Sequence, residues 1–184
     1  ASDLRYKKNV SGKKELHLLV VDTSASMGLQ QRLSYAKGLI QRILRTDYQK
    51  KHYVAVVGTE GGGARIFIKP TRNFLKIDQA LGSIRAKGKT PLFHAIDKAL
   101  VTIAGQRKNF LANLMVVISD GRVNIPFKNT IHEDLTHFAE RVRRLKLRNF
   151  IVDSNQFINR SVLLKRMADL FNGCYMSMSE VNIR

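Results

Sequence analysis

Leu16-His17-Leu18-Leu19-Val20-Val21 is apolar but for one imidazole, and it stops abruptly at Asp22-Thr23-Ser24-Ala25-Ser26. A strand with one wet face would alternate apolar with polar residues, so an unbroken run of this length reads as a strand buried on both faces. The pattern returns at Leu114-Met115-Val116-Val117-Ile118, which gives way to Ser119-Asp120-Gly121. Strands of this kind need a layer on each side of their sheet, and the segments between them must supply the helices.

Those segments have the required periodicity. After Gly28, the residues Leu33, Ala36, Ile40, Ile43 and Leu44 recur at helical spacing. Tyr53-Val54-Ala55-Val56-Val57 is a second strand, and the Gly61-Gly62-Gly63 turn feeds a third over residues 64–68 that pairs antiparallel with it. Asn73 is placed to cap a helix carrying Phe74, Ile77, Leu81 and Ile84, and Leu92, Ala95, Ile96, Ala99, Leu100 and Ile103 mark the next. Leu135, Phe138, Ala139, Val142 and Leu145 mark another helix, followed by a strand over 150–152, a helix over 162–171 and a short strand over 174–178. This order predicts an α/β fold: a doubly wound, mostly parallel sheet with one antiparallel edge strand and helices on both faces.

In such sheets ligands sit beyond the carboxyl ends of the strands, which is where both polar clusters fall. Asp22, Ser24 and Ser26 alternate, so as the chain turns out of the strand their oxygens can converge. Thr90, in the tight Lys87-Gly88-Lys89-Thr90-Pro91 loop, and Asp120 complete a set of five oxygen donors. Hard oxygen ligands without imidazole or thiolate suit Mg²⁺, Mn²⁺ or Ca²⁺ rather than Zn²⁺. With two charged ligands only, such an ion stays electrophilic and accepts an external carboxylate, which makes a binding device rather than a catalyst. Taken singly, Asp and Ser after a strand are ordinary helix caps and Asp-Gly an ordinary turn. The metal reading rests on their combination.

Catalytic alternatives lack their parts. Gly82, Gly88, Lys89 and Thr90 approach a phosphate-binding loop, but the spacing is one residue too long and a helix rather than a strand precedes it. An aspartyl-nucleophile phosphatase needs a second Asp where Ser24 stands. His132 and His137 are five apart and miss the helical spacing of a zinc protease, and no G-x-S-x-G elbow occurs. The five histidines, His17, His52, His94, His132 and His137, are expected to be structural or exposed.

With 184 residues, 44% of them hydrophobic, one compact domain is expected over 15–184, preceded by an extension or linker over 1–14. No apolar stretch approaches the ~20 residues that span a bilayer, and the start has no apolar secretion signal, so a soluble, cytoplasmic protein is expected. The chain begins without Met and reads as a piece of a longer polypeptide. Cys174 is the sole cysteine, which excludes an internal disulfide; it is expected to pack as a small hydrophobe. The formal charge of +18 favours acidic partners, an acidic protein surface well ahead of nucleic acid, beside the plainer reading of solvated basic faces. No aromatic-interleaved basic stripe of the single-strand-binding kind is present.

Val21-Asp22-Thr23-Ser24-Ala25-Ser26-Met27 resembles the metal-ion-dependent adhesion site of von Willebrand factor A (integrin I-like) domains. Asp3-Leu4-Arg5, Gly88-Lys89-Thr90-Pro91-Leu92, the stretch Ser119-Asp120-Gly121-Arg122-Val123-Asn124-Ile125-Pro126 and Ile151-Val152-Asp153-Ser154 are similar to the C-terminal domain of the magnesium chelatase D-subunit family, across nearly the whole chain. The resemblance implies that Asp22, Ser24, Ser26, Thr90 and Asp120 occupy the family's metal positions. It also implies a non-catalytic module that binds acidic residues of an AAA+ ATPase subunit and a large porphyrin-binding subunit, in ATP-driven insertion of Mg²⁺ into protoporphyrin. Two departures, Ala25 where Gly is common and Val57-Gly58-Thr59-Glu60-Gly61 in place of an apolar-aromatic strand end, replace no ligand. They leave room for a relative with another target.

Overall fold

The computed structural model describes residues 14–49, 52–106, 108–155 and 160–181. In chain order the elements are β1 (Lys14–Val21), a 3-10 segment (Ala25–Gln31), α1 (Arg32–Gln49), β2 (Tyr53–Glu60), β3 (Gly63–Thr71), α2 (Phe74–Ser83) and α3 (Leu92–Gln106). Then follow β4 (Phe110–Ser119), α4 (Ile131–Leu145), β5 (Arg148–Asp153), α5 (Val162–Leu170), β6 (Cys174–Ser177) and the short α6 (Met178–Val181). The expected extension over 1–14 lies outside the described residues except for Lys14, which already belongs to β1.

The strands form one sheet in the order β3-β2-β1-β4-β5-β6. All neighbouring pairs are parallel except β2 with β3, the antiparallel edge that the glycine turn predicts. The chain leaves β1 toward β2 on one side and returns through α2 and α3 to β4 on the other. β1 and β4 therefore flank the point where the winding reverses. Their register pairs Val21 with Ile118, so the segments that follow, beginning at Asp22 and Ser119, emerge side by side.

Alternation along β1 splits the core in two. Leu16, Leu18 and Val20 pack with α3, α4 and α5 on one face, whereas Leu19 and Val21 pack with α1 and α2 on the other. Both faces are thus covered, as the unbroken apolar runs require. Helix starts follow the local chemistry. Asn73 accepts the Lys76 N–H at 3.1 Å, and Thr130 accepts the Glu133 N–H at 3.1 Å, with Glu133 and Asp134 in the first turn of α4 and Arg143 and Arg144 in the last.

Two expectations need correction. β2 runs on through Gly58, Thr59 and Glu60, which pair with Arg65, Ala64 and Gly63 of β3; the Phe67 ring lies against Gly58, where a Cβ would overlap it. Cys174 is exposed, not packed: it opens β6, which ends the sheet among the described residues.

Candidate metal centre

β1 delivers Asp22 to the carboxyl edge of the sheet fully buried, and the turn that follows folds back on it. The Ser24 N–H donates to Asp22 Oδ1 at 2.9 Å, and the Ser24 and Ser26 hydroxyls lie 3.0 Å apart. From β4, the Ser119 hydroxyl donates to Asp22 Oδ2 at 2.7 Å, and the Asp22 N–H donates to the Ile118 carbonyl at 2.8 Å. Asp120 is buried as well; its Oδ1 accepts the Arg122 N–H at 3.0 Å, and its Oδ2 faces Arg32 Nη1 at 3.1 Å. The same Arg32 nitrogen reaches the Ser26 carbonyl at 3.5 Å, so Arg32 ties the two halves together.

Thr90 arrives from the loop before α3. Two backbone bonds clamp that loop to the Asp22 turn: Ala25 N–H to the Gly88 carbonyl at 3.0 Å and Lys87 N–H to the Thr23 carbonyl at 2.8 Å. Gly88 turns at φ +78°, a conformation glycine adopts without strain. Thr90 is buried, and its N–H donates to Asn124 Oδ1 at 2.8 Å, which fixes it to the segment after Asp120. All five residues singled out from the sequence thus gather at one edge. Asp22, Ser24 and Ser26 are joined directly, while Thr90 and Asp120 are joined through their loops and Arg32.

Burial holds the Asp22 carboxyl above its ordinary value; bonds from Ser119 and Ser24 pull it back, and the negative Asp120 nearby pushes it up again. Two buried carboxylates near one another favour a cation between them, a charge that Arg32 already supplies in part to Asp120. The residues fit a hard dication on that ground, and with oxygen donors only they offer nothing that selects a soft one.

Beside this edge a cleft of about 340 Å³ is lined by Thr23, Thr59 and Phe67, by Arg85 and Lys87, and by Arg65, which is paired with Glu60 of the same cleft at 3.1 Å. Arg85 and Lys87 suit an acidic visitor.

Three groups escaped the sequence reading. Ser119 orients Asp22, Arg32 pairs with Asp120, and Thr59 accepts the Thr23 N–H at 2.8 Å, is hydrogen-bonded to the Thr23 hydroxyl and lies 3.5 Å from Asp22 Oδ1. Thr59 belongs to the strand end that departs from the family pattern, so that departure sits against the site. Ser119 carried a signal, its place beside Asp120. Arg32 carried none, since it opens a helix ten residues beyond Asp22.

The model of the von Willebrand factor type A domain matches residues 17–123, more than half of the chain, and spans Asp22 through Asp120. The chain belongs to the von Willebrand factor A family. Among its relatives is the magnesium-chelatase 60 kDa subunit of Rhodobacter capsulatus, 26% identical over 84% of this chain and 28% of the subunit. The chain therefore spans less than a third of that relative. An uncharacterized protein of Methanocaldococcus jannaschii is 24% identical over 85% of this chain and 91% of its own length. The SpRpn10 vWA domain has the same fold, with a TM-score of 0.72 over 92% of this chain and 94% of that domain, at 13% identity. The vWA match and the similarity to a magnesium-chelatase subunit support a role as a protein-interaction module. Among the described residues, no helix is long and apolar enough to cross a membrane.

Proposed function

We propose that Asp22, Ser24, Ser26, Thr90 and Asp120 hold one divalent cation, Mg²⁺ foremost and Mn²⁺ or Ca²⁺ by the same donor chemistry, and present it to a carboxylate of a partner protein. The observation that supports this most is the crowding of two buried carboxylates beside paired serine hydroxyls at 3.0 Å, at the winding reversal of a doubly wound sheet. The domain itself supplies grip and orientation and performs no chemistry. The similarity to chelatase subunits extends the reading to an AAA+ ATPase subunit and a porphyrin-binding subunit as the partners, in ATP-driven insertion of Mg²⁺ into protoporphyrin. The +18 charge, with Arg85 and Lys87 beside the site, would draw the acidic partner in.

The test is capture of those two subunits on the immobilised chain, with Mg²⁺ or with EDTA. Capture should require the cation and be abolished by Asp22→Ala with Ser24→Ala. Full capture in EDTA would refute the metal-bridged mode. Binding of nucleic acid that depends on salt but not on the cation would favour a polyanion binder instead.

A further inference from the structure

At the opposite end of the sheet, Glu15, His17 and His52 bring one carboxylate oxygen and two imidazole nitrogens within 4.8 Å of one another. Register and pleat explain the meeting. Leu16 of β1 pairs with Tyr53 of β2, so the preceding residues, Glu15 and His52, lie side by side. Glu15 and His17 share the face that carries Leu19 and Val21, and His52 shares the face that carries Val54 and Val56, which is the same side of the sheet. Glu15 Oε2 is 2.9 Å from His52 Nε2, and the His17 and His52 rings meet edge to face at 4.6 Å. His17 is buried, while Glu15 and His52 keep part of their surface open to solvent.

We infer that this cluster is a second metal site, for Zn²⁺ or a comparable borderline transition-metal ion. Two imidazoles with one carboxylate are the ligand chemistry of such ions, and three protein ligands leave a position for water or a further donor. Around a tetrahedral Zn²⁺ with bonds near 2.0 Å, ligand atoms lie about 3.3 Å apart, so the three groups need move inward by no more than about 1.5 Å. Among the described residues, Lys14 and Arg72, which lie near these strand starts, are held over the Tyr53 ring at 5.2 and 5.0 Å from its centre. Seven residues of extended chain, about 23 Å, separate Glu15 from Asp22, so the site is independent of the oxygen cluster and does not rest on its occupancy. A bound ion would pin the opening ends of β1 and β2 together.

The expectation that His17 and His52 are structural or exposed then changes for these two. With excess Mg²⁺ present to fill the oxygen cluster, the chain should bind one Co²⁺ or Zn²⁺, with visible absorption bands of four- or five-coordinate Co²⁺ and a rise in Tm with Zn²⁺. His52→Gln and Glu15→Gln, both at partly exposed positions, should each weaken binding at least tenfold, whereas Asp22→Asn should leave it unchanged. His17→Gln alters a buried ring and so risks misfolding, which leaves the other two substitutions as the decisive pair. No Co²⁺ or Zn²⁺ bound under these conditions, affinity unaffected by both His52→Gln and Glu15→Gln, or loss of binding in Asp22→Asn would each overturn the site.

Discussion

Arg32 Nη1 sits 3.1 Å from Asp120 Oδ2, and both side chains are buried. The guanidinium thus occupies one of the oxygens that a divalent ion would use, and it acts as a tethered cation in the same pocket. A dication entering beside it meets like charge, and at short range with intermediate screening that repulsion is worth on the order of 1 kcal/mol or more. Arg32→Gln should therefore tighten Mg²⁺ binding by about tenfold, while Arg32→Lys, which keeps the charge, should change it little. Calorimetric titration of the three proteins decides; weaker binding in Arg32→Gln would mean that Arg32 organises the site more than it opposes the ion.

The buried Asp22 carboxyl supplies a pH dependence. Its proton is held more tightly in the folded protein than at the ordinary value of 3.8, chiefly through burial. A raised folded value means that Asp22 contributes stability at low pH and that this contribution is lost as pH rises through the raised value. In EDTA, urea unfolding of the parent should lose stability over that window relative to Asp22→Asn, so the difference between the two curves should slope with pH above 3.8. Mg²⁺ favours the ionised carboxylate and should reduce the slope. Parallel pH curves for the two proteins would contradict this.

Thr59→Val leaves the buried Thr23 N–H without its 2.8 Å acceptor. An orphaned buried donor costs about 1–3 kcal/mol, and Val matches the shape, so packing adds little. The urea midpoint should fall accordingly. A stability within a few tenths of a kcal/mol of the parent would show that the loop re-satisfies that group.

Gly121 turns at φ +73°, and a Cβ there would run into Ser161 and the Leu164 side chain at the start of α5. Gly121→Ala should cost about 1–3 kcal/mol through strain and overpacking together. Because the turn directly follows Asp120, the same change should weaken Mg²⁺ binding, which thermal melts with and without the cation would read as a smaller stabilisation by Mg²⁺.

The asymmetry in what was legible has a physical origin. Apolar runs at Leu16 to Val21 and Leu114 to Ile118, helical periods between them and the glycine turn at 61–63 are local signals, and they were enough for element order, sheet type and the edge to which Asp22 and Asp120 belong. Boundaries were less legible where a distant neighbour decides them: β2 continues past Val57 through pairing of Gly58, Thr59 and Glu60 with Arg65, Ala64 and Gly63 of β3. Exposure of Cys174 likewise depends on β6 ending the sheet, which no property of residues 173–176 encodes.

The proposed donors could be picked out from residue type and place in the chain, Asp22, Ser24, Ser26 and Asp120 after strand ends and Thr90 in the loop before α3. What surrounds them could not. The Ser119 bond to Asp22 spans 97 positions, the Arg32 contact with Asp120 spans 88, and Glu15 meets His52 only through the register of two parallel strands. The sequence by itself determined which groups stand at the ends of the strands; the tertiary structure alone decided which charges and imidazoles face them, because that depends on how strands distant in the chain are paired and on which helix start is packed against which strand end.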